Sequence, residues 1–314
     1  MAYTFTTNQT PATGSVAVYN LIARLLAAGW TKVKDSDGTT YSAAGTQVTG
    51  GGAGASGLGN SSAWVNLRAP SGTRELVFQR GTNDTQWRIT YSPTAFSSGS
   101  PAATVVPSSA NGSIVLGGGS DGVPTFATWF ATNGGYRQQI GADNASPYAF
   151  WMGCYPTGGG APTAAIVFDP LTNTPAEDTD PVVIHIGCAS SSPLQASGIQ
   201  SNTATTTTSR TCGWLGFGLG GAFVAIPGCT YVANGGQTVP SGIPANPHNT
   251  KDDGIPIVFM RASTNAAPQG YKGVSSVMYW LGTSRSTPNT LASLARIVIG
   301  DVSLPWDGGT VPTT

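Results

Sequence analysis

Three consecutive stretches of the chain alternate apolar and polar side chains with a period of two. They cover residues 64–68, 74–80 and 85–91, and turn-forming segments at 70–72 and 81–84 separate them. Successive side chains of a β-strand point to opposite faces, so this pattern is typical of strands with one buried face. The short turns predict an antiparallel meander whose second face meets water or a partner.

Further short apolar runs follow the meander, with clusters of Gly, Asn and Pro between them. We expect a strand at residues 30–34, and others at 126–130, 136–140, 148–154, 164–168, 182–186, 222–226, 255–261, 277–281 and 296–302. This spacing is typical of an all-β sandwich or barrel and not of βαβ units. The Ser/Gly/Pro-rich segment 92–123 is interpreted as a link. A second, short helix is predicted at residues 291–294, with its N-terminal entry at Ser286 or Thr287.

One amphipathic helix is predicted near the start of the chain. Its apolar stripe has helical spacing, Thr13 to Ser15 offer an N-cap, and Gly29 has the place of a C-terminal cap. The stripe consists of Val18, Tyr19, Ile22, Leu25 and Leu26. The predicted fold class is therefore mainly β, with antiparallel sandwich- or barrel-like sheets, short strands, long loops and one N-terminal helix.

The predicted domain division places the helix and meander in residues 1–110 and a larger β-rich region in 111–314. A single domain is the alternative. The longest strongly apolar runs are far below the ~20 residues of a membrane span, and the first residues lack the features of a secretory signal. We therefore expect synthesis in the cytoplasm and no membrane partner.

The chain is poor in charge, and this limits the classes of function. Charged residues make up 9% of the sequence and the formal net charge is zero. A nucleic-acid binder would carry a basic surface, so no nucleic-acid partner is expected. Proteins near zero net charge tend to associate, which predicts a subunit of an assembly bound to other copies of itself.

Few residues are available for catalysis. The chain has two histidines, of which His185 lies in a strand pattern and His248 in a loop. Glu75 is interpreted as a cross-strand ion-pair partner in an arginine-rich strand. These observations predict that the protein is not an enzyme and needs no cofactor.

The sequence offers little support for a metal site. Acidic clusters at 177–180 and 252–253 lack the spacing of a calcium loop, and solvated turn carboxylates are the preferred interpretation. The four cysteines are widely spaced, without a Cys-x-x-Cys pair. Buried free thiols are expected, with a Cys212–Cys229 disulfide as the alternative.

Two sets of residues are candidates for contact with partners. Arginine forms bidentate hydrogen bonds well, so the meander arginines are candidate inter-subunit contacts. These are Arg68, Arg74, Arg80 and Arg88. The aromatic residues Tyr148, Trp151 and Tyr155 are a candidate platform for stacking on a host surface glycan, although core packing is the favoured interpretation of these side chains.

Several stretches together resemble a known group of proteins. AWVNLRAPSGTRELVFQRG (63–81), WRITYS (87–92), GGYR (134–137) and RIVIGDVSLPWDG (296–308) resemble uncharacterised virion structural proteins of tailed bacteriophages. The resemblance spans most of the chain and contains no catalytic motif. It implies a non-enzymatic structural role in the virion, in accordance with the scarcity of catalytic residue types.

The combined expectation is a tail or baseplate subunit that acts through contacts with its own copies and with other virion proteins. It would be assembled into the virion in the host cytoplasm. Two alternatives remain: a capsid decoration or head-fibre protein, and a receptor- or glycan-binding module of a tail fibre or spike.

Overall fold

The computed structural model describes residues 5–9, 14–35, 64–70, 72, 74–80, 86–92, 95, 114–118, 124–129, 136–156, 164–176, 182–188, 209–210, 212–217, 223–227, 254–262, 268–280, 285–291, 296–300 and 302–305. Within them the chain forms one helix and nineteen strands. In chain order these are β1 (Phe5–Gln9), α1 (Gly14–Ala27), β2 (Thr31–Asp35), β3 (Trp64–Arg68), β4 (Glu75–Arg80), β5 (Gln86–Ser92), β6 (Ile114–Gly118), β7 (Pro124–Trp129), β8 (Tyr136–Ala142), β9 (Phe150–Pro156), β10 (Ala164–Pro170), β11 (Val182–Cys188), β12 (Ser209–Arg210), β13 (Cys212–Phe217), β14 (Phe223–Pro227), β15 (Gly254–Ala262), β16 (Pro268–Trp280), β17 (Arg285–Leu291), β18 (Arg296–Gly300) and β19 (Val302–Pro305).

The strands form three antiparallel sheets. Sheet A has the order β1-β8-β9-β10-β11-β13, sheet B has β12-β6-β7-β5-β4-β3-β2, and sheet C has β14-β15-β16-β19-β18-β17. The consecutive pairing of β3, β4 and β5 confirms the predicted meander. The mainly β class with antiparallel sheets and one helix is likewise confirmed for the residues that the structure describes.

Helix α1 ends where the sequence predicts. Gly29 has a φ of 94°, and its N–H donates to the carbonyl of Leu26 at 3.0 Å. The N–H of Trp30 donates to the carbonyl of Leu25, also at 3.0 Å. These two bonds form a Schellman motif, which satisfies carbonyls that the last helical turn leaves unpaired. Thr13, the expected N-cap, lies outside the described residues.

Gly29→Ala is expected to reduce the free energy of unfolding by about 1–2 kcal/mol, because a Cβ disfavours the left-handed conformation. The new Cβ would also lie 3.3 Å from Cγ of Pro70. Gly72→Ala is the matched control, since Gly72 has a φ of 82° but has nothing within 4 Å of the added atom. Urea denaturation measures both. A negligible effect of both substitutions would contradict the backbone assignment.

One apolar core joins the helix to two sheets. It contains the buried stripe of α1 together with Trp30, side chains from the meander and side chains from sheet A. The meander contributes Val65, Leu67, Leu76, Phe78 and Ile89, and sheet A contributes Ile140, Ala142, Phe150, Met152, Cys154, Ile166, Phe168 and Val182. Burial of the Cys154 thiol raises its pKa far above the ordinary value, which keeps the group neutral.

Large aromatic rings occupy the middle of this core. Trp30 meets Phe150 and Phe168 edge to face, with ring centroids 5.8 Å apart in both pairs. Phe150 and Phe168 stack on each other with centroids 5.2 Å apart. These are the preferred arrangements of aromatic quadrupoles, so the segment after α1 is fixed directly to sheet A.

A buried glutamine links α1 to sheet A. Nε2 of Gln138 on β8 donates to the carbonyl of Ala17 at 2.6 Å, and its Oε1 accepts from Nδ2 of Asn20 at 3.0 Å. Both polar ends of the side chain are therefore satisfied inside the protein. This arrangement avoids the desolvation cost of an unpaired buried amide.

Strand β2 contains a buried ion pair. Nζ of Lys32 lies 3.2 Å from Oδ2 of Asp35, and both side chains have no solvent exposure. Residues three apart in a regular strand point to opposite faces. A register shift between Lys32 and Lys34 inserts a bulge that brings the two charges to the same side.

The second face of sheet A is bonded to sheet C. Asp169 on β10 is fully buried and accepts hydrogen bonds from Oγ of Ser275 and from N and Oγ of Ser276, which lie on β16. Next to it, Thr172 and Val274 exchange two backbone hydrogen bonds of 2.9 Å. A carboxylate that binds donors of another strand fixes the position of that strand, because any displacement leaves its buried charge unsatisfied.

Trp151 makes a second contact between sheets A and C. Its side chain is fully buried and its Nε1 donates to the carbonyl of Pro305 on β19 at 3.0 Å. Gly141 lies directly opposite Trp151 on the neighbouring strand β8. An added Cβ at Gly141 would overlap Nε1 and Cε2 of the indole, so the ring needs glycine at this position.

Gly141→Ala is expected to destabilise the protein by about 1–3 kcal/mol, because the indole must move within a packed interior. Guanidinium denaturation measures the loss. In a Trp151→Phe background the same substitution should cost less, because phenylalanine lacks the indole ring atoms that the Cβ meets. Equal losses in the two backgrounds would contradict the contact.

The structure also corrects and completes the predicted elements. Ser286 and Thr287 lie in strand β17, so the predicted helix entry is wrong, and residues 292–295 lie outside the described residues. The segment expected to be a link contains strand β6. β1 pairs with β8, and β5 pairs with β7. Strand pairing therefore crosses residue 110, and the predicted division into two domains, with a single domain as the alternative, stays a prediction.

Candidate interaction surface

Two turns with exposed residues lie together at one end of the meander. The turn between β3 and β4 is closed by a 2.9 Å hydrogen bond from the N–H of Gly72 to the carbonyl of Ala69, with Pro70 between them. Proline at the second position is typical of such turns. The second turn joins β8 to β9 and has exposed side chains at Asn144, Ala145 and Ser146.

The β8–β9 turn is held by its own polar groups. Oδ1 of Asp143 accepts from the N–H of Ala145 at 2.9 Å, and the N–H of Tyr148 donates to the carbonyl of Ala145 at 2.7 Å. The Ser146–Pro147 peptide bond is cis, and Tyr148 has a φ of 61°. The aspartate forms the side-chain turn for which this residue type is favoured in loops.

Arg74 connects the two turns. Its Nη1 donates to the carbonyl of Pro147 at 2.7 Å, and its side chain is half-buried. A predicted contact arginine and the predicted aromatic residue Tyr148 therefore lie in neighbouring segments. The sequence gives no signal for the contact, because 73 residues separate its two members.

Arg68 and Glu75 form a cross-strand ion pair between β3 and β4. Nε and Nη2 of Arg68 lie 2.9 and 2.6 Å from Oε1 of Glu75, and Nδ2 of Asn66 donates to Oε2 at 3.0 Å. The glutamate is 1% exposed, whereas the Arg68 side chain is 37% exposed. The expected ion pair of Glu75 is thus present, with Arg68 opposite it in the register.

Arg68→Gln is expected to destabilise the protein more than Glu75→Gln, which should cost about 1–3 kcal/mol. The first change leaves a buried carboxylate without its cation, whereas the second removes the charge itself. A double-mutant cycle from urea denaturation measures the coupling, and the double variant should lose less than the sum of the two single variants. Strictly additive losses would contradict a direct pair.

The other predicted arginines are placed by strand register. Arg80 lies opposite Trp87, and Arg88 lies opposite Gln79. Their side chains lie outside the described residues. Arg68 and Arg74 both bind groups of the chain itself. In the described part of the chain, the exposed part of Arg68 and the turns beside Arg74 form a surface that a partner could contact. The inter-subunit role of these residues stays a prediction.

The predicted glycan platform is not assembled as expected. Trp151 is fully buried and bonded to Pro305, so it offers no ring face to a sugar, and the core-packing interpretation describes it. Tyr148 is half-buried and packs against the shared core. Tyr155 lies in β9, and its side chain is outside the described residues.

The acidic residues that the structure describes all bind the chain itself. Each is buried and accepts at least one hydrogen bond from the protein. They are Asp35, Glu75, Asp143 and Asp169. In this part of the chain no group of three or more His, Cys, Asp or Glu residues could hold a metal ion.

Several residues named in the sequence analysis fall outside this description. The acidic clusters at 177–180 and 252–253, His248 and Cys229 lie beyond the described residues, so the Cys212–Cys229 alternative stays a prediction. Cys154 is a buried free thiol, as expected.

Comparison of the chain with protein-family models, with curated proteins and with solved structures gave no match. Among the described residues, no helix has the length and apolar character needed to span a membrane.

Proposed function

We propose that the protein is a non-enzymatic structural component of a tailed-bacteriophage virion, most simply a tail or baseplate subunit that forms homo-oligomers. The resemblance of its sequence to virion structural proteins supports this role. The charge-poor composition supports it as well, because such surfaces repel one another weakly.

The proposal rests mainly on the contacts that the buried carboxylates make within the protein. A catalytic carboxylate must reach a substrate, whereas Glu75 bridges two strands of sheet B and Asp169 joins sheet A to sheet C. Asp35 pairs with Lys32 inside sheet B. Side chains of this kind stabilise the positions of strands, which is what a component with a mechanical role requires.

We also infer that the sheets stack face to face as a sandwich. One face of sheet A contributes to the core shared with α1 and sheet B, and Trp151 and Asp169 on its other face bond to sheet C. In this arrangement the turns beside Arg74 would be available to neighbouring subunits, together with the exposed part of Arg68.

The proposal predicts that the protein is present in purified virions of the phage that encodes it. Quantitative mass spectrometry of gradient-purified particles should detect it at the low copy number of a tail structure, and immunogold labelling should place it on the tail. A non-structural protein from the same lysate is the control. Absence from the particles would contradict the proposal, and a high copy number on the head would favour a decoration protein instead.

A further inference from the structure

One end of sheet B has a partly exposed arginine on one side and an exposed turn on the other. Side chains alternate between the two faces of a strand, so Arg68 lies on the face opposite Leu67, which enters the shared core. Arg74 bonds to Pro147 of the β8–β9 turn, which belongs to sheet A on the core side of sheet B. The Arg68 side chain and the β8–β9 turn therefore lie on opposite sides of the β3–β4 turn.

The β3–β4 turn between these two sides presents small residues. Pro70 and Gly72 are exposed, and the bond from Gly72 to the carbonyl of Ala69 closes the turn. Glycine and proline lose almost no side-chain freedom when another molecule covers them. A second molecule can therefore approach this turn closely at a low entropic cost.

Arg68 provides hydrogen-bond donors on the outer side. Its Nε and Nη2 bind Oε1 of Glu75, and the guanidinium carries further N–H groups. The side chain is 37% exposed, so these groups can bind an acceptor of another molecule. Because Glu75 already balances the charge of Arg68, two copies of the chain do not repel each other through this residue.

The β8–β9 turn provides acceptors on the core side. Asn144 and Ser146 are exposed, and their amide and hydroxyl oxygens accept hydrogen bonds. The backbone of this turn is held by Oδ1 of Asp143 and by the bond from Arg74. A turn that is already ordered loses little conformational freedom on binding, which favours a contact at this place.

We propose that this end of the protein forms a two-fold contact with a second copy of the chain, an inference that rests on the homo-oligomeric role proposed above. A two-fold axis through the β3–β4 turn exchanges the two sides, so Arg68 of each copy faces the β8–β9 turn of the other. The guanidinium then donates to the amide oxygen of Asn144 in the second copy. The symmetry forms the same bond twice, and the small residues of the β3–β4 turns meet at the axis.

Sedimentation equilibrium of the full-length protein tests the contact, and we expect the wild type to form a dimer. Asn144→Lys places a cation beside the Arg68 guanidinium of the second copy, so the dissociation constant should rise about tenfold or more. Asn144→Asp places a carboxylate there and should leave the dissociation constant unchanged or lower it. The difference between the two variants should decrease at high salt concentration.

Ala176→Lys is the matched control, because it adds the same charge at an exposed position outside the contact. Ala176 follows Thr172, which bonds to Val274 on the side of sheet A that meets sheet C. This variant should associate like the wild type. Circular dichroism establishes that each variant folds. If Asn144→Lys does not fold, Ala145→Lys at the neighbouring exposed position replaces it.

Three results would overturn the proposed contact. They are a wild-type protein that stays monomeric at high micromolar concentration, the same dissociation constant in the wild type and in both charge variants, and equal weakening by Asn144→Lys and Asn144→Asp. Each of these results leaves the proposed virion role in place, because the protein content of purified particles tests that role separately.

Discussion

Burial of sheet A on both faces is the constraint on which the rest of the described structure depends. Phe150, Met152 and Cys154 on β9 enter the core shared with α1 and sheet B, while Trp151 between them bonds to sheet C. A strand in this position needs apolar or fully satisfied polar side chains at every residue. The helix and the other two sheets are therefore positioned by contacts with the same central strands.

Polar side chains make the specific connections in this arrangement. Gln138 joins α1 to β8, Asp169 joins β10 to β16, and Glu75 joins β3 to β4. Apolar contacts are tolerant of small shifts, whereas a buried amide or carboxylate is satisfied in few positions. In a chain with 9% charged residues, these few groups have a large part in fixing which strands meet.

The small number of charged residues also connects the fold with the proposed role. Glu75 and Asp169 hold strands together, and the arginines Arg68 and Arg74 each bind a group of the chain on one side. Among the described residues, the exposed part of Arg68 and the turns on either side of Arg74 offer surface to partners. Contacts made through short turns fit the proposed role of a passive assembly component.

The sequence by itself determined the strands of the meander and the helix α1. Period-two alternation located β3, β4 and β5 almost to the residue, and the stripe ending at Gly29 located α1, because these signals depend on neighbours within a few positions. The predicted strands do not include β1, β6, β12 or β13, of which β6 lies in a Gly- and Ser-rich segment, and a helix entry was assigned to part of β17. Only the tertiary structure decided that Trp151 belongs to the interior and that Arg74 meets Pro147, since these depend on pairs 154 and 73 residues apart. The local sequence pattern does not show whether an aromatic side chain faces solvent or another sheet. The order of the sheets determines which of the two the side chain contacts.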